Sequence, residues 1–400
     1  MSNVDKSIIV CDNGSRCITV GYANSNFPAV IFPSIVGRPF LGYEENVTNM
    51  KIKDIMIGEE VEQVMNMLQI SRPIQNEKKV FYISQVLYEI GKSCNIFMIT
   101  LLTKNWELKP LNGKSYYPSP NESRKNRETM VEMLFETYNF KAVYVAIQAT
   151  LVLYARGLMT VVVVDSGDGV TQIVPVYESS VLPNLVKRIG IGGRDVTRYL
   201  MKLFLDCGYY FNRTADFDTV RKIKENLCYV CHDYDFEKRL ALETTALVRP
   251  YKLPNGRTIR IGEERFTAPE VLFHPYLVDF VGDGISETIF RAINKAPVEI
   301  RPQLYQQIVL SGGTSMFPGF TTRLEKDIKE LYCTHVLKGN REGLKRFKLE
   351  IEDPPRRKHI VFEGLTVLAG LIKDRPIWVT REEYAENGVR CVEKLKGKKL

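Results

Sequence analysis

The 400-residue sequence lacks any apolar run long enough to span a bilayer, and no hydrophobic signal-peptide stretch follows Met1–Lys6. Its eight cysteines are scattered rather than grouped as a disulfide framework, which favours reduced thiols in the cytosol. These absences predict a cytoplasmic protein without a membrane partner.

The sequence also lacks a segregated block of charge. The net charge is +8, yet the basic residues are mostly scattered, with small clusters at 356–358 and 394–399. A basic tail is typical of a solvated terminus, and the sequence contains no nucleic-acid-binding module. We therefore expect no nucleic-acid partner. The ordinary composition (44% apolar, 26% charged) and the length favour a globular protein with room for two domains.

One cysteine pair resembles a cofactor site. Cys228–His232 has the spacing of a c-type haem attachment sequence, Cys-x-x-Cys-His. That chemistry needs an exported, oxidising context. The segment also continues an amphipathic pattern set by Val220, Ile223 and Leu227, so we interpret it as packing rather than as haem attachment.

The most informative feature is an apolar strand that leads into an Asp-x-Gly loop, a pattern that occurs twice in the sequence. An apolar run, Ile8–Cys11, leads into the first loop, Asp12–Ser15, and Val161–Val164 leads into the second loop, Asp165–Thr171. Glycines allow backbone N–H groups to point at a phosphate, and carboxylates supply oxygens for Mg²⁺. Either copy alone also fits an ordinary hairpin turn. The matched pair favours two similar lobes that hold one nucleotide.

Strands alternate with helices along the chain, which predicts an α/β fold. The apolar spacing and the turn residues predict several local elements. These are helices over Glu59–Leu68, Arg127–Tyr138 and Ala142–Leu158, a helix opened by Gly190–Gly193 with Asp195 in its first turn, a hairpin at Pro254–Gly256, a third strand-to-glycine turn at Ile308–Thr314, and a helix over Phe320–Tyr332.

Five segments together resemble the actin family: the two loops, Tyr144–Ala149, Lys224–Val230 and Leu310–Gly313. The resemblance covers about residues 7–75 and 121–400. It implies an actin-like two-lobed α/β fold, built from duplicated RNase H-like domains with a nucleotide cleft between them. The implied division is an outer core (1–33, 73–155, 361–400) with a small insertion (34–72), and an inner core (156–191, 281–360) with a second insertion (192–280).

The resemblance also implies a site for ATP and Mg²⁺. Asp12, Asn13, Gly14, Ser15, Gly167, Asp168 and Gly169 would face the phosphates, with Asp168 near the ribose. Asp12 and Asp165 would hold the metal through its waters, and Gln148 would orient the attacking water. The adenosine would be surrounded by Gly193, Arg221, Lys224, Glu225, Gly312, Gly313, Met316, Phe317 and Lys358. Each residue alone also fits a plain role in the core or on the surface.

The chain departs from the family at three functional positions. Arg16 stands where the family has Gly, and Thr19 where it has a phosphate-contacting Lys. Arg16 either strains the backbone or replaces the lost cation, and the sequence leaves both open. Gln172 stands where the family has a His beside the attacking water, and Gln takes up no proton. We therefore expect ATP binding with very slow or no hydrolysis.

Residues 76–120 do not follow the family. Val80–Ile90 stands where the family has a helix, and Ile96–Thr103 is still predicted to be a strand. We interpret Lys104–Tyr117 as an insertion, which is either a lineage-specific segment or a gene-model fault. Gly commonly sits at the positions of Asn24 and Glu363, where we expect adjusted turns in an unchanged fold.

The resemblance implies an ATP-binding subunit of the branched-actin nucleating complex that begins a daughter filament with a nucleotide-dependent conformation. Its partners would be actin-related protein 3, the other subunits of the complex, actin filaments and WASP-family nucleation-promoting factors, at the actin cytoskeleton. A diverged paralogue with altered or lost complex assembly is the alternative. A superfamily kinase or chaperone ATPase is less favoured.

Overall fold

The computed structural model describes residues 5–39, 55–71, 96–101, 128, 130–136, 138–211 and 214–395. The chain forms two compact units. The first unit comprises Met1–Met159, Tyr177–Asn184 and His359–Leu400, and the second comprises Thr160–Val176 and Leu185–Lys358. The finer division into two cores and two insertions stays a prediction, as does the cleft.

The first unit is built on a six-stranded sheet. In spatial order its strands are Val30–Pro33, Cys17–Ala23, Asp5–Asn13, Ile96–Leu101, Ala142–Ile147 and Val379–Thr380. The first three run antiparallel to one another, and the next two run parallel to Asp5–Asn13. A smaller sheet orders Met56–Ile57, Val36–Pro39 and Leu68–Ser71.

Five described helices belong to the first unit. They are Glu59–Gln63, residues 130–136, Gln148–Arg156, Ile360–Ile372 and Arg381–Asn387, with 3₁₀ turns at Met65–Met67 and Gly388–Leu395. Gly364 lets Ile360–Ile372 pack tightly on Gln148–Arg156, because any side chain there would overlap the backbone carbonyl of Leu151. This contact buries the apolar face of Ile360–Ile372, whose Leu365 and Ile360 are almost fully buried.

The second unit repeats the topology of the first. Its sheet contains Lys187–Ile189, Thr171–Tyr177, Val161–Ser166, Ile308–Ser311 and Ile351–Glu352. The first three are again antiparallel, and the last two run parallel to Val161–Ser166. The predicted α/β fold with a duplicated core is therefore confirmed. The two-residue strand Ser180–Val181 and the 3₁₀ turn Pro183–Leu185 precede Lys187–Ile189 in the chain.

Seven described helices complete the second unit. They are Gly193–Asp206, Thr214–Leu227, Tyr234–Glu243, Glu264–Glu270, Ile285–Asn294, Arg301–Gln306 and Phe320–His335, with 3₁₀ turns at Pro275–Val278, Gly313–Met316 and Arg341–Arg346. Arg249–Lys252 and Thr258–Ile261 form the predicted hairpin around Gly256, which has a positive φ of 84°. No helix in the described part of the chain is long and apolar enough to cross a membrane.

Two predicted helices were wrong in extent. Ala142–Ile147 is a strand, and the helix begins only at Gln148 and ends at Arg156. Most residues of this strand are buried, so its sequence is apolar and lacks the alternation that marks a half-buried strand. The helix expected over Glu59–Leu68 ends at Gln63 and is followed by a 3₁₀ turn and a strand.

Other local predictions are confirmed, with one exception. Ile96–Leu101 is a strand, while the rest of 76–120 lies outside the described residues. Asn24 lies in a turn with a positive φ of 58°, a conformation that Asn adopts more readily than most other non-Gly residues. The adjusted turn expected at Glu363 was wrong, because Glu363 lies within the helix Ile360–Ile372.

The Cys-x-x-Cys-His segment is packing, as we interpreted it. Cys228 and Cys231 are buried, and burial raises the pKa of each thiol to about 12. A haem attachment site needs exposed thiols, so the segment does not carry one. Nowhere in the described residues do three or more His, Cys, Asp or Glu side chains gather in a group able to hold a metal.

Candidate functional site

The second loop is a tight hairpin turn at the end of a fully buried strand. Val161–Ser166 and Thr171–Tyr177 pair in register around it, and the Gly167 N–H donates to the Val170 carbonyl at 3.0 Å. The Ser166 and Thr171 hydroxyls lie 2.9 Å apart and close the base of the turn. The loop backbone is therefore fixed before any ligand binds.

Asp165 places a buried carboxylate at this turn. The Ser311 hydroxyl donates to its Oδ1 at 2.8 Å from the neighbouring parallel strand, and Gln172 lies directly opposite across the hairpin. Burial raises the pKa of Asp165, while the Ser311 hydrogen bond opposes the shift. A cation, or its bound water, would stabilise the ionised form, so this carboxylate fits the predicted metal role.

The helix Gly193–Asp206 begins directly against the second loop. The N–H groups of Gly193 and Arg194 donate to the carbonyls of Gly167 and Asp168 at 3.0 and 2.8 Å. The Arg194 guanidinium pairs with the Asp168 carboxylate at 2.6 Å, and both side chains are buried (5% and 8% exposed). The Thr314 hydroxyl donates to the Gly167 carbonyl at 2.7 Å. These contacts rigidify the loop, and the sequence did not reveal Arg194 or Thr314.

Glycine is required at two points beside the second loop. Gly312 has a φ of 87°, and a Cβ there would overlap the Ser166 carbonyl oxygen and lie 2.8 Å from Asp165 Oδ1. A Cβ at Gly192 would lie 2.6 Å from the Asp168 carbonyl oxygen. The backbone at these two glycines thus passes closer to the loop than any side chain allows.

Several predicted adenosine residues gather around this loop. Lys224 Nζ donates to the Gly193 carbonyl at 2.7 Å, so the helix Thr214–Leu227 is joined to the helix that begins at Gly193. Gly312 and Gly313 follow the strand Ile308–Ser311. The residues predicted to surround the adenosine all belong to the second unit.

The remaining predicted adenosine residues have plainer surroundings. Arg221 binds Asp218 at 2.9 Å and Glu225 at 3.1 Å on its own helix. Phe317 is buried, whereas Met316 and Lys358 are exposed. The structure thus gives Arg221 and Glu225 a helix-stabilising contact, and it leaves Met316 and Lys358 accessible to a ligand.

The first loop has the same hairpin form in the first unit. Asp12 pairs with Thr19, and Asn13 with Ile18, across the turn. A Cβ at Gly14 would lie 2.5 Å from the Cys17 carbonyl oxygen, so the turn needs glycine there. Arg16 has an ordinary negative φ, and its carbonyl accepts from the Ser34 N–H at 2.7 Å. Of the two alternatives for Arg16, backbone strain and replacement of the lost cation, strain is therefore excluded.

Gln148 lies at the same sheet edge as the first loop. Asp12, Thr100 and Ala146 pair in sequence across three parallel strands, and Gln148 follows two residues after Ala146. Its side chain is buried, and within the described residues its Oε1 has no hydrogen-bond partner. A buried amide oxygen of this kind is satisfied by a water or a ligand donor.

These residues fit a nucleotide with a divalent cation. Each unit offers a hairpin turn with a carboxylate, and glycine is required at Gly14 in the first turn and at Gly192 and Gly312 beside the second. Gln148 supplies a buried acceptor in the first unit. A site with few protein carboxylates suits Mg²⁺, because this ion keeps several waters and is usually held by one or two carboxylates and phosphate oxygens.

Comparison with known proteins gives a consistent result. A protein-family model described as Actin matches residues 4–81 and 116–396. The chain is 52% identical to Actin-related protein 2 of Acanthamoeba castellanii over 389 residues, which covers 97% of this chain and 98% of the relative. It is 48% identical to Actin-related protein 2 of Drosophila melanogaster (99% of each chain) and 46% identical to that of Arabidopsis thaliana (98% and 99%). The unmatched residues 82–115 lie inside the segment expected to depart from the family.

Proposed function

Because the chain belongs to the actin family, we propose that it is an ATP-binding structural subunit of a branched-actin nucleating complex. The family binds ATP with a divalent cation. The observation that carries the proposal is structural: two copies of one sheet topology each contain a hairpin turn that begins at an Asp. Glycine is required at Gly14 in the first turn and at Gly192 and Gly312 beside the second. The 46–52% identity to Actin-related protein 2 over nearly the whole chain supports the subunit role.

The nucleotide role is assigned to the residues that the hairpins and their neighbours position. Asp12, Asn13, Gly14, Ser15, Gly167, Asp168 and Gly169 would contact phosphates, and Asp12 and Asp165 would bind the waters of Mg²⁺. Gly193, Arg221, Lys224, Glu225, Gly312, Gly313, Met316, Phe317 and Lys358 would surround the adenosine. When bound, the metal neutralises phosphate charge, and the protein residues position the nucleotide.

Hydrolysis is proposed to be very slow. Gln148 can orient a water through its Oε1, which accepts no hydrogen bond from the part of the chain that the structure describes. Gln172, buried opposite Asp165, can donate and accept hydrogen bonds but takes up no proton. Binding of ATP, rather than its cleavage, would then set the conformation of the subunit.

Assembly is the second part of the proposal. The chain would pair with actin-related protein 3 and the other subunits of the complex, respond to WASP-family nucleation-promoting factors, and begin a daughter filament on an existing actin filament at the cytoskeleton. Co-purification of the tagged full chain with the complex tests this. Recovery of the chain only as a free monomer contradicts it.

A diverged paralogue is the second candidate, favoured by Arg16, Thr19, Gln172 and the unmatched residues 82–115. Adding the purified chain to a complex that lacks the corresponding subunit, and counting branches, separates the two. Restored branching supports the subunit role, and unchanged branching with intact ATP binding supports the paralogue.

A further inference from the structure

We propose that the Arg16 side chain binds the phosphate groups of the nucleotide and replaces the cation that Thr19 lacks. The inference rests on the proposed function, ATP binding at the first loop, and adds to it the group that neutralises the phosphates.

Arg16 is placed where such a contact is possible. It directly follows the first loop, and its backbone is held by the hydrogen bond from the Ser34 N–H and by the tight turn at Gly14. The side chain is partly exposed rather than packed in the core. In the described part of the chain no hydrogen bond or ion pair holds the guanidinium.

Three cations of the second unit, each at the second loop or in the proposed adenosine set, are already bound. The Arg194 guanidinium pairs with the buried Asp168 carboxylate at 2.6 Å, and Lys224 Nζ donates to the Gly193 carbonyl at 2.7 Å. Arg221 binds two carboxylates on its own helix. Withdrawing any of them to hold a phosphate would break a formed contact, whereas Arg16 gives up none.

The charges of the first hairpin point the same way. Between residues 12 and 19 the sequence carries one acidic residue, Asp12, and one basic residue, Arg16. Thr19, opposite Asp12, is neutral and buried. An ATP triphosphate keeps negative charge after one Mg²⁺ binds. A guanidinium is well suited to it, because its planar fork donates two parallel hydrogen bonds to phosphate oxygens.

The test is equilibrium binding of ATP, ADP and adenosine, each with Mg²⁺, to the full-length chain and its variants. Arg16→Ala is expected to lower ATP affinity about 10- to 100-fold, the equivalent of a charged hydrogen-bond contact. ADP affinity should fall less, and adenosine affinity should change less than about twofold. Arg16→Lys should keep part of the ATP affinity. Arg346→Ala, an exposed arginine in the second unit, is the matched control and should bind like the parent.

A second variant separates a lost charge from a damaged loop. In R16A/T19K the cation returns on the neighbouring strand, opposite Asp12, and ATP affinity should recover at least about tenfold. Nucleotide-free thermal unfolding should be nearly the same for the parent and for Arg16→Ala, because no hydrogen bond or ion pair holds the partly exposed Arg16 side chain within the described residues.

Three outcomes overturn the inference. If the parent chain binds no ATP, the proposed function fails and the inference with it. If the parent binds ATP and Arg16→Ala binds it equally well, only the inference fails. Equal losses for ATP and adenosine would show that the change damages the loop, which also rejects a phosphate contact while leaving the proposed function standing.

Discussion

The adjacent glycines Gly312 and Gly313 offer a matched test of how the second loop is built. Both follow the strand Ile308–Ser311, and both are proposed adenosine residues. A Cβ at Gly312 would overlap the Ser166 carbonyl oxygen, whereas a Cβ at Gly313 meets no atom within 4 Å. Gly312→Ala should therefore destabilise the second unit, and Gly313→Ala should leave its stability nearly unchanged.

The magnitude follows from two costs. The φ of 87° and ψ of 155° at Gly312 lie in a region almost restricted to glycine, which disfavours alanine by about 1–3 kcal/mol. The overlap with Ser166 adds about 1–3 kcal/mol, because backbone atoms of a central strand cannot move away as a flexible side chain can. The sum is about 2–6 kcal/mol. For a unit of 150–250 residues this lowers the Tm by roughly 4–24 °C.

Thermal unfolding of the nucleotide-free full-length chain measures the difference, with circular dichroism as the probe. The parent and Gly313→Ala should unfold within about 2 °C of each other, and Gly312→Ala well below them. Addition of MgATP should stabilise Gly312→Ala less than the parent, because the new Cβ would also lie 2.8 Å from Asp165 Oδ1. Equal Tm values for the two alanine variants would refute the close approach of Gly312 to the loop.

Three further predictions concern charged and polar side chains. Arg194→Met should cost about 3–5 kcal/mol in urea unfolding, because it leaves the buried Asp168 carboxylate unpaired; a loss below about 1 kcal/mol contradicts this. Gln172→His should raise the rate of phosphate release from ATP at least about tenfold over a slow parent rate. An unchanged rate would contradict the hypothesis that hydrolysis is slow because residue 172 takes up no proton. The hydrogen bond to Glu270 at 2.8 Å raises the pKa of His274. The stabilisation of the folded state by protonated His274 is therefore complete below the ordinary pKa of 6.5 and is lost as the pH rises through the folded-state pKa. Urea midpoints should accordingly decline with pH in the parent but not in His274→Gln.

Local sequence pattern was enough to predict the strands that carry the loops. Val161–Val164 is a β-branched run bounded by Asp-x-Gly, and such runs favour strands strongly. Ala142–Ile147 was misread, because an apolar run buried on both faces has the same appearance as a buried helix segment. The segment is a strand because it pairs with Ile96–Leu101, and that pairing cannot be predicted from the local sequence.

The side chains that fix the site were harder to find, because their contacts span long stretches of chain. Ser311 donates to Asp165 across 146 residues, and Arg194 reaches Asp168 across 26. Arg194 follows a glycine-rich turn and reads as an ordinary polar residue in a first helical turn. Only the start of that helix against the second loop gives it a buried partner.

The two loops are therefore alike in backbone and unlike in charge. At the second loop, Asp168 is neutralised by Arg194, and the loop carbonyls are already bound by backbone and hydroxyl donors, so the loop contributes shape and a buried Asp165. At the first loop, Asp12 and Arg16 carry opposite charges within five residues. A phosphate bound at the first loop would receive positive charge from Arg16, the one basic residue between positions 12 and 19. Loss of that one guanidinium should accordingly make ATP binding less sensitive to ionic strength, because screening by salt acts on the charge pair that has been removed.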